Sequence, residues 1–455
     1  MADFARVDHI IRQRLDSSLA ELSRLCAQPS ISATGQGIHE CASLVAEMLR
    51  RRGFTVQILD TPGWPVVFAD RPGPSERTLL FYNHYDVQPP EPLDLWETPP
   101  FEPSIRDGKM YARGVSDDKG HLMCRLAALD ALLEALGDLP CRIKFIIEGE
   151  EETSSLNLHA FVRDHKDVLA ADACIWEFGG VDHEGTPIQY AGLRGISYVE
   201  LSVETASQDA HSGLGGSIFA NAAWRLTWAL HSLKGPDERI RLPGFYDKVR
   251  PPTKRDLELL SLLPDEAEEL KTRYGLDGFI KGLTGGVELN REAIFSPTCT
   301  ICGLTSGYQG PGVKTVLPAR ASAKVDFRLV PDMHPNDVLA QLRAHLDAQG
   351  FEDVAIQDLG GDPPARTDPD DPFLQMVVQS AAEVYGRPML ITPMSGGSGP
   401  NYPFIHDLGL PVATAGVGYP GNQVHAPNEN LVIDHFVNGV RHTARIVAKF
   451  AEMGS

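Results

Sequence analysis

Hydrophobic positions recur at helical spacing from Phe4 to Leu25 and again from Ile38 to Arg52. Short apolar runs near Phe54–Leu59, Thr78–Tyr82, Cys141–Ile147 and Ala173–Phe178 instead have the length and bounding residues of strands. A further helical pattern, Leu122–Leu136, separates two of those runs. Strands alternating with helices predict an α/β domain whose central sheet is mostly parallel.

The pattern changes at Ile196. The stretch "ISYVELSVET" alternates as a strand, Asn221–Leu233 has helical spacing, Pro236–Glu269 is rich in proline and charge, and "ARASAKVDFRLVP" alternates again. In that last strand Ala321, Ala323, Val325, Phe327 and Leu329 share one face, and Ser322, Lys324, Asp326 and Arg328 the other. These elements predict a smaller α+β domain inserted into the first. The loop "DLGGDPPARTDPDDP", residues 358–372, is dense in Pro, Gly and Asp and reads as the return linker. Beyond it "PMLITPM", "GLPVATAGVG" and a final helix near Asn430–Phe450 restore the first pattern. The expected organisation is a discontinuous outer domain, 1–195 and 363–455, interrupted by residues 196–362.

Composition narrows the function classes. The chain has 455 residues, enough for two or three domains, and a formal net charge of −20 from 61 acidic against 41 basic residues. That balance argues against nucleic acid or an anionic membrane surface as a partner. No run of about 18 apolar residues offers a membrane span. The first residues, "MADFARVDHIIRQRLDSSLAELSRLC", lack a basic segment followed by a long apolar run, so no signal peptide is expected. Seven cysteines are scattered, with one close pair, Cys299 and Cys302, in a strand entering a loop; they read as reduced thiols of a cytoplasmic protein rather than half a zinc site.

Candidate chemistry lies at the ends of the strands of the outer domain. "TLLFYNHYDVQPP" ends on His84 and Asp86, "YARGVSDDKG" on Asp117 and Asp118, and "FIIEGEEETSS" on Glu150, Glu151 and Glu152. "ACIWEFGG" ends on Glu177, and "PVATAGVGYPGNQVHAPNEN" carries His425. Taken alone, three glutamates after a strand are a solvated loop. Sites in open α/β sheets, however, gather beyond the carboxyl ends of the strands, where these positions converge. Carboxylates so crowded would force protons onto one another unless cations joined them. Two Zn²⁺ ions balance three ligand carboxylates and one bridging hydroxide, with two neutral imidazoles completing the shells. Paired metals about 3.5 to 4 Å apart suit amide hydrolysis. In "HYD", residues i and i+2 face the same way, so Asp86 can accept the spare ring N–H of His84. Adjacent glutamates in extended chain point oppositely, which lets one hold a metal while its neighbour faces the water. Spacing leaves open which of the three does which.

Together "HYDVQP", "ARGVSDDKG", "EGEEETSS", "DAHSG" and "VHAPNE", in this order, resemble the co-catalytic zinc family of aminoacylases, glutamate carboxypeptidase and succinyl-diaminopimelate desuccinylase. Within it the chain is most similar to the cytosolic nonspecific dipeptidase and carnosinase branch. The resemblance implies a zinc-exopeptidase-like catalytic domain with an inserted lid that mediates a homodimer. It implies one zinc on His84, Asp117 and Glu177, another on Asp117, Glu152 and His425, and Glu151 as general base. It also implies a cis peptide between Asp117 and Asp118. His211 matches a lid histidine that stabilises the oxyanion in the partner's site, and Arg328 matches the residue holding the substrate's terminal carboxylate. Gly397 and Ser398, in "MSGGSGPNYP", match a glycine-rich loop that contacts the same carboxylate.

The function implied is a dinuclear zinc exopeptidase, with Mn²⁺ or Co²⁺ as substitutes, acting on dipeptides or short peptides. Glu177 departs from that branch, whose members generally carry Asp there. Glu is usual in the deacylase and carboxypeptidase branches, so an amidohydrolase of N-acyl or N-carbamoyl amino acids is the alternative. A noncatalytic homologue kept as a scaffold would be expected to lose a ligand or the base, and none is missing.

Overall fold

The computed structural model describes residues 3–454. They form two compact units. The first runs to Gly192 and resumes over Arg366–Met394 and from Pro400 onward; the second comprises Leu193–Ala365 and Ser395–Gly399. The inserted unit therefore ends three residues beyond the expected 362, and five residues of the glycine-rich loop belong with it.

The first unit is built on β1 (Thr55–Leu59), β2 (Val66–Arg71), β3 (Ser75–His84), β4 (Cys141–Glu148), β5 (Ala173–Trp176) and a sixth strand, Val412–Thr414. Their order across the sheet is β1, β2, β4, β3, β5, then Val412–Thr414. β3 pairs in parallel with β4 and β5, and β5 with the sixth strand. Only β2 runs against the rest, antiparallel to β1 and β4. Leu79, Leu80, Phe81 and Tyr82 are all fully buried, the continuous apolar run of a strand covered on both faces. Phe81 stacks on Phe145 of β4 with centroids 5.0 Å apart. Around the sheet lie α1 (Phe4–Gln13), α2 (Leu15–Ala27), α3 (Ile38–Arg51), α4 (Lys119–Leu136) and the helix Ile433–Glu452.

Two expectations are corrected here. The helical pattern Phe4–Leu25 is divided at Arg14, which closes α1 and precedes α2; its carbonyl accepts both the Ser17 hydroxyl at 2.7 Å and the Ser18 N–H at 2.9 Å. The final helix starts at Ile433, because Asn430–Val432 pairs antiparallel with Lys109–Tyr111.

In the second unit β6 (Gly195–Glu204), β7 (Thr298–Ser306), β8 (Arg320–Leu329) and β9 (Ala355–Asp362) form an antiparallel sheet ordered β7, β8, β6, β9. Ala321, Ala323, Val325, Phe327 and Leu329 are buried as the alternation predicted, under α5 (Ala222–Leu233) and α6 (Pro335–Ala348). Cys299 and Cys302 both lie within β7, the first buried and the second exposed. No helix among the described residues is long and apolar enough to cross a membrane.

Candidate metal centre

His84 is the last residue of β3, and its ring is buried. Its Nδ1 lies 3.1 Å from the Asp86 carbonyl oxygen and 3.2 Å from Asp86 Oδ1. A neutral ring donating from Nδ1 keeps its lone pair on Nε2. That Nε2 lies 3.0 Å from Asp117 Oδ1, 3.8 Å from Glu177 Oε2 and 3.9 Å from Glu151 Oε2. The Asp86 carboxylate does more than orient the ring. It accepts the backbone N–H of Glu151 at 3.2 Å and of Glu152 at 3.0 Å, so one buried carboxylate fixes three candidate residues.

Asp117 faces two ways. Its Oδ1 meets His84, and its Oδ2 lies 3.1 Å from His425 Nε2, which is also 3.0 Å from Glu152 Oε2. Asp117, Glu152 and His425 thus gather ligand atoms within reach of one ion, and His84, Asp118 and Glu177 form a second such group. Asp118 was not among the expected ligands; its Oδ2 accepts from Asn83 Nδ2 at 2.6 Å and from the His84 N–H at 3.1 Å. The peptide between Asp117 and Asp118 is cis.

Electrostatics describe a cluster short of cations. Burial pushes the carboxyls of Glu151 and Glu177 well above their ordinary range; Glu152, Asp117 and Asp86 raise Glu151 further, and Glu151, Asp118 and Asp117 raise Glu177. Burial also lifts Asp118 to about 7. Asp117 goes the other way: burial opposes its charge, but bonds from His425 and His84 hold it well below the usual range. Bonds to Asp117 and Glu152 lift His425 to about 10. Protons here stand where divalent cations fit. The fit rests on a further observation: Glu177 Oε2 is buried with no hydrogen-bond partner among the described residues, an acceptor that a cation satisfies.

The three glutamates separate by what holds them. Glu151–Thr153 is a 3₁₀ turn, so the extended-chain alternation used to divide them does not apply. Glu150 is engaged outside both ligand groups: its Oε1 accepts from the Asn157 N–H at 2.7 Å and its Oε2 from the Trp64 N–H at 3.1 Å, pinning the loop.

Sequence reasoning missed the supports. Arg125, buried on α4, donates to the carbonyls of Trp176 at 3.0 Å, Glu177 at 2.7 Å and Ala415 at 3.1 Å, which locks the end of β5. Glu429, four residues after His425, accepts from Arg113 Nη1 at 2.8 Å and from the N–H groups of Gly114, Ser116 and Asp117 at 2.9 to 3.0 Å. It thereby ties the loop of His425 to the loop of Asp117. Gln423, His425 and Asn428 all hold positive φ, costing about 1 kcal/mol or more each, and such a loop needs anchors. Replacing Glu429 with Gln leaves Arg113 buried without its counterion, so the variant is expected to lose about 3 kcal/mol of stability or more. Its metal affinity should fall about 10- to 100-fold, as for lost outer supports. Denaturation and zinc titration check both; unchanged zinc affinity would remove Glu429 from the site.

The other expected residues lie in the second unit. Arg328 donates from Nε to Asp326 Oδ2 at 3.1 Å and from Nη1 to Ser398 Oγ at 2.9 Å. The Gly397 N–H is directed to Ser395 Oγ at 3.2 Å. His211 is exposed; its Nδ1 accepts from the Gly213 N–H at 3.0 Å, and Thr315 Oγ1, unnoticed in the sequence, lies 3.2 Å from its Nε2.

Residues 80–449 match the model of peptidase family M20/M25/M40. The chain is 32% identical to the Beta-Ala-His dipeptidase of Homo sapiens over 334 residues, 69% of this chain and 64% of that enzyme's length. It is 28% identical to the Cys-Gly metallodipeptidase dug1 of Schizosaccharomyces pombe over 470 residues, 98% of each chain. A crystal structure of an M20 family metallo-carboxypeptidase from Sulfolobus solfataricus superposes with a TM-score of 0.92 at 36% identity, covering 96% of this chain and 99% of that one.

Proposed function

The chain belongs to peptidase family M20/M25/M40, and on that premise we propose that it is a dinuclear zinc exopeptidase that hydrolyses dipeptides or short peptides. The observation that carries the reading is the division of Asp117 between His84 and His425, one oxygen to each. In this reading His84, Asp117 and Glu177 hold one ion, and Asp117, Glu152 and His425 hold the other. Bound there, two divalent cations, zinc or in its place Mn²⁺ or Co²⁺, supply Lewis acidity at the scissile carbonyl and acidify water. Glu151 takes the proton released as water adds to the carbonyl carbon. When the C–N bond breaks, it hands that proton to the departing amine nitrogen. Asp86 holds the base in place through the Glu151 N–H. As the resemblance implies, His211 steadies the developing oxyanion in the partner's site, and Arg328 with Ser398 and Gly397 holds the substrate's terminal carboxylate.

Dipeptidase relatives spanning 98% of both chains support a free-amine substrate. Glu177, together with the likeness to a metallo-carboxypeptidase, favours a second reading in which N-acyl or N-carbamoyl amino acids are cleaved. A panel of free dipeptides beside their N-blocked counterparts, with zinc supplied, separates the two. Turnover of the free dipeptides is expected; turnover of the blocked compounds alone would contradict it.

The assembly in this reading is a homodimer through the inserted unit. Trp224 and Trp228 stack on the outer face of α5 with more than half of each side chain exposed, and the edge strand β7 exposes Ile301 and Leu304. An open sheet edge and uncovered tryptophans suit a second copy of the chain. Sedimentation at micromolar concentration should give twice the chain's mass, and a fully active monomer would contradict it. Seven free thiols, six of them buried, support a reducing compartment, the cytoplasm.

A further inference from the structure

Arg194, at the start of the second unit, is a buried cation with no counterion of its own. It is 5% exposed. Its Nη1 and Nη2 donate to the carbonyls of Ala293 and Ser296, each at 2.8 Å. Its Nε is buried with no partner, and no carboxylate among the described residues pairs with it. The charges that act on it are those of Arg328, Asp326 and Glu292. Glu292 is already taken by Lys281. Asp326 is taken by Arg328, and its second oxygen is buried without a partner.

The Arg328–Asp326 pair is therefore neutral as a unit, and Arg194 leaves one positive charge uncompensated beside it. Burial and the like charge of Arg328 lower the Arg194 pKa to about 10, so it stays protonated at neutral pH. A buried unpaired charge is costly and calls for a partner. The backbone points to where that partner sits. The Arg194 N–H donates to the Gly397 carbonyl at 3.1 Å, and Leu193 bridges Ser395, so Arg194 also anchors the loop that carries Ser398 to Arg328.

We propose that Arg194 is a specificity-determining residue whose uncompensated charge lets the Arg328–Asp326 pair hold an anion, the missing counterion being the substrate's terminal carboxylate. The proposal rests on reading Arg328 as the carboxylate-binding residue. Without Arg194, the paired Arg328 offers geometry but no net charge.

The test measures kcat and KM for a dipeptide, and Ki for its C-terminal amide as a competitor, in the zinc-loaded protein. Arg194→Gln, which keeps a donor to a carbonyl but drops the charge, should raise KM for the acid about tenfold or more, with kcat and the Ki of the amide nearly unchanged. Adding Asp326→Asn to that variant restores the net charge and should recover most of the lost affinity. Arg194→Lys, which keeps the charge, should stay within about threefold of the parent KM. A purely structural role predicts the opposite: loss in Arg194→Lys and no rescue in the double variant. An unchanged acid-to-amide preference in Arg194→Gln would also overturn the proposal. Arg328→Gln, run beside it, keeps the two readings apart. If it too leaves the preference unchanged, the carboxylate assignment itself has failed; if it abolishes the preference while Arg194→Gln does not, only the role of Arg194 is lost.

Discussion

Glu151→Gln is expected to bind its full complement of metal and lose turnover by about 10²- to 10⁴-fold, the usual worth of a positioned general base. The amide is nearly isosteric, so the 3₁₀ turn and the Asp86 bonds to the Glu151 and Glu152 N–H groups should survive. What disappears is the ability to take a proton from water and return it to the amine. Without cations, burial and the acidic neighbours raise the Glu151 pKa well above the ordinary value; bound cations oppose that shift and favour the ionised carboxylate that a base requires. KM should change little, since nothing that grips substrate has moved. Metal analysis and steady-state kinetics on the same preparation check the claim; near-normal kcat would assign the proton transfer elsewhere.

Asp117→Ala should do more damage, and of a different kind. One carboxylate that serves two imidazoles, 3.0 Å to His84 and 3.1 Å to His425, cannot be replaced by either neighbour. Its loss leaves each metal position with two ligands instead of three, so the variant should retain less than one tightly bound ion per chain. Losing Lewis acidity worth several kcal/mol means a rate loss beyond about 10³-fold. Excess zinc should not restore it. A variant with two bound ions would show that Asp117 is not required to join them, Asp118 completing the position of His84 and Glu177.

Much of this was legible in the chain because two physical rules leave marks in sequence. Strands buried on both faces read as continuous apolar runs, which is why β3, β4 and β5 stand out, whereas β2 escaped notice in "VVFADR", which ends on charged residues and is flanked by prolines. Ligands at strand ends stand out as polar residues interrupting such runs, as His84 and Glu177 do. The supports were hidden because they act on backbone far away in sequence. Glu429 accepts from N–H groups more than 300 residues earlier, and Arg125 clamps carbonyls at the ends of two different strands. No local pattern announces either. The division of labour among Glu150, Glu151 and Glu152 was hidden for a nearer reason: the chain turns there, and alternation fails where the strand ends.

The central claim is a pair of ions sharing Asp117. Anomalous diffraction from crystals of the protein loaded with zinc measures it directly. Two peaks about 3.5 to 4 Å apart, one on each side of the Asp117 carboxylate, are the predicted result. A single peak, or two peaks that Asp117 does not join, would contradict it.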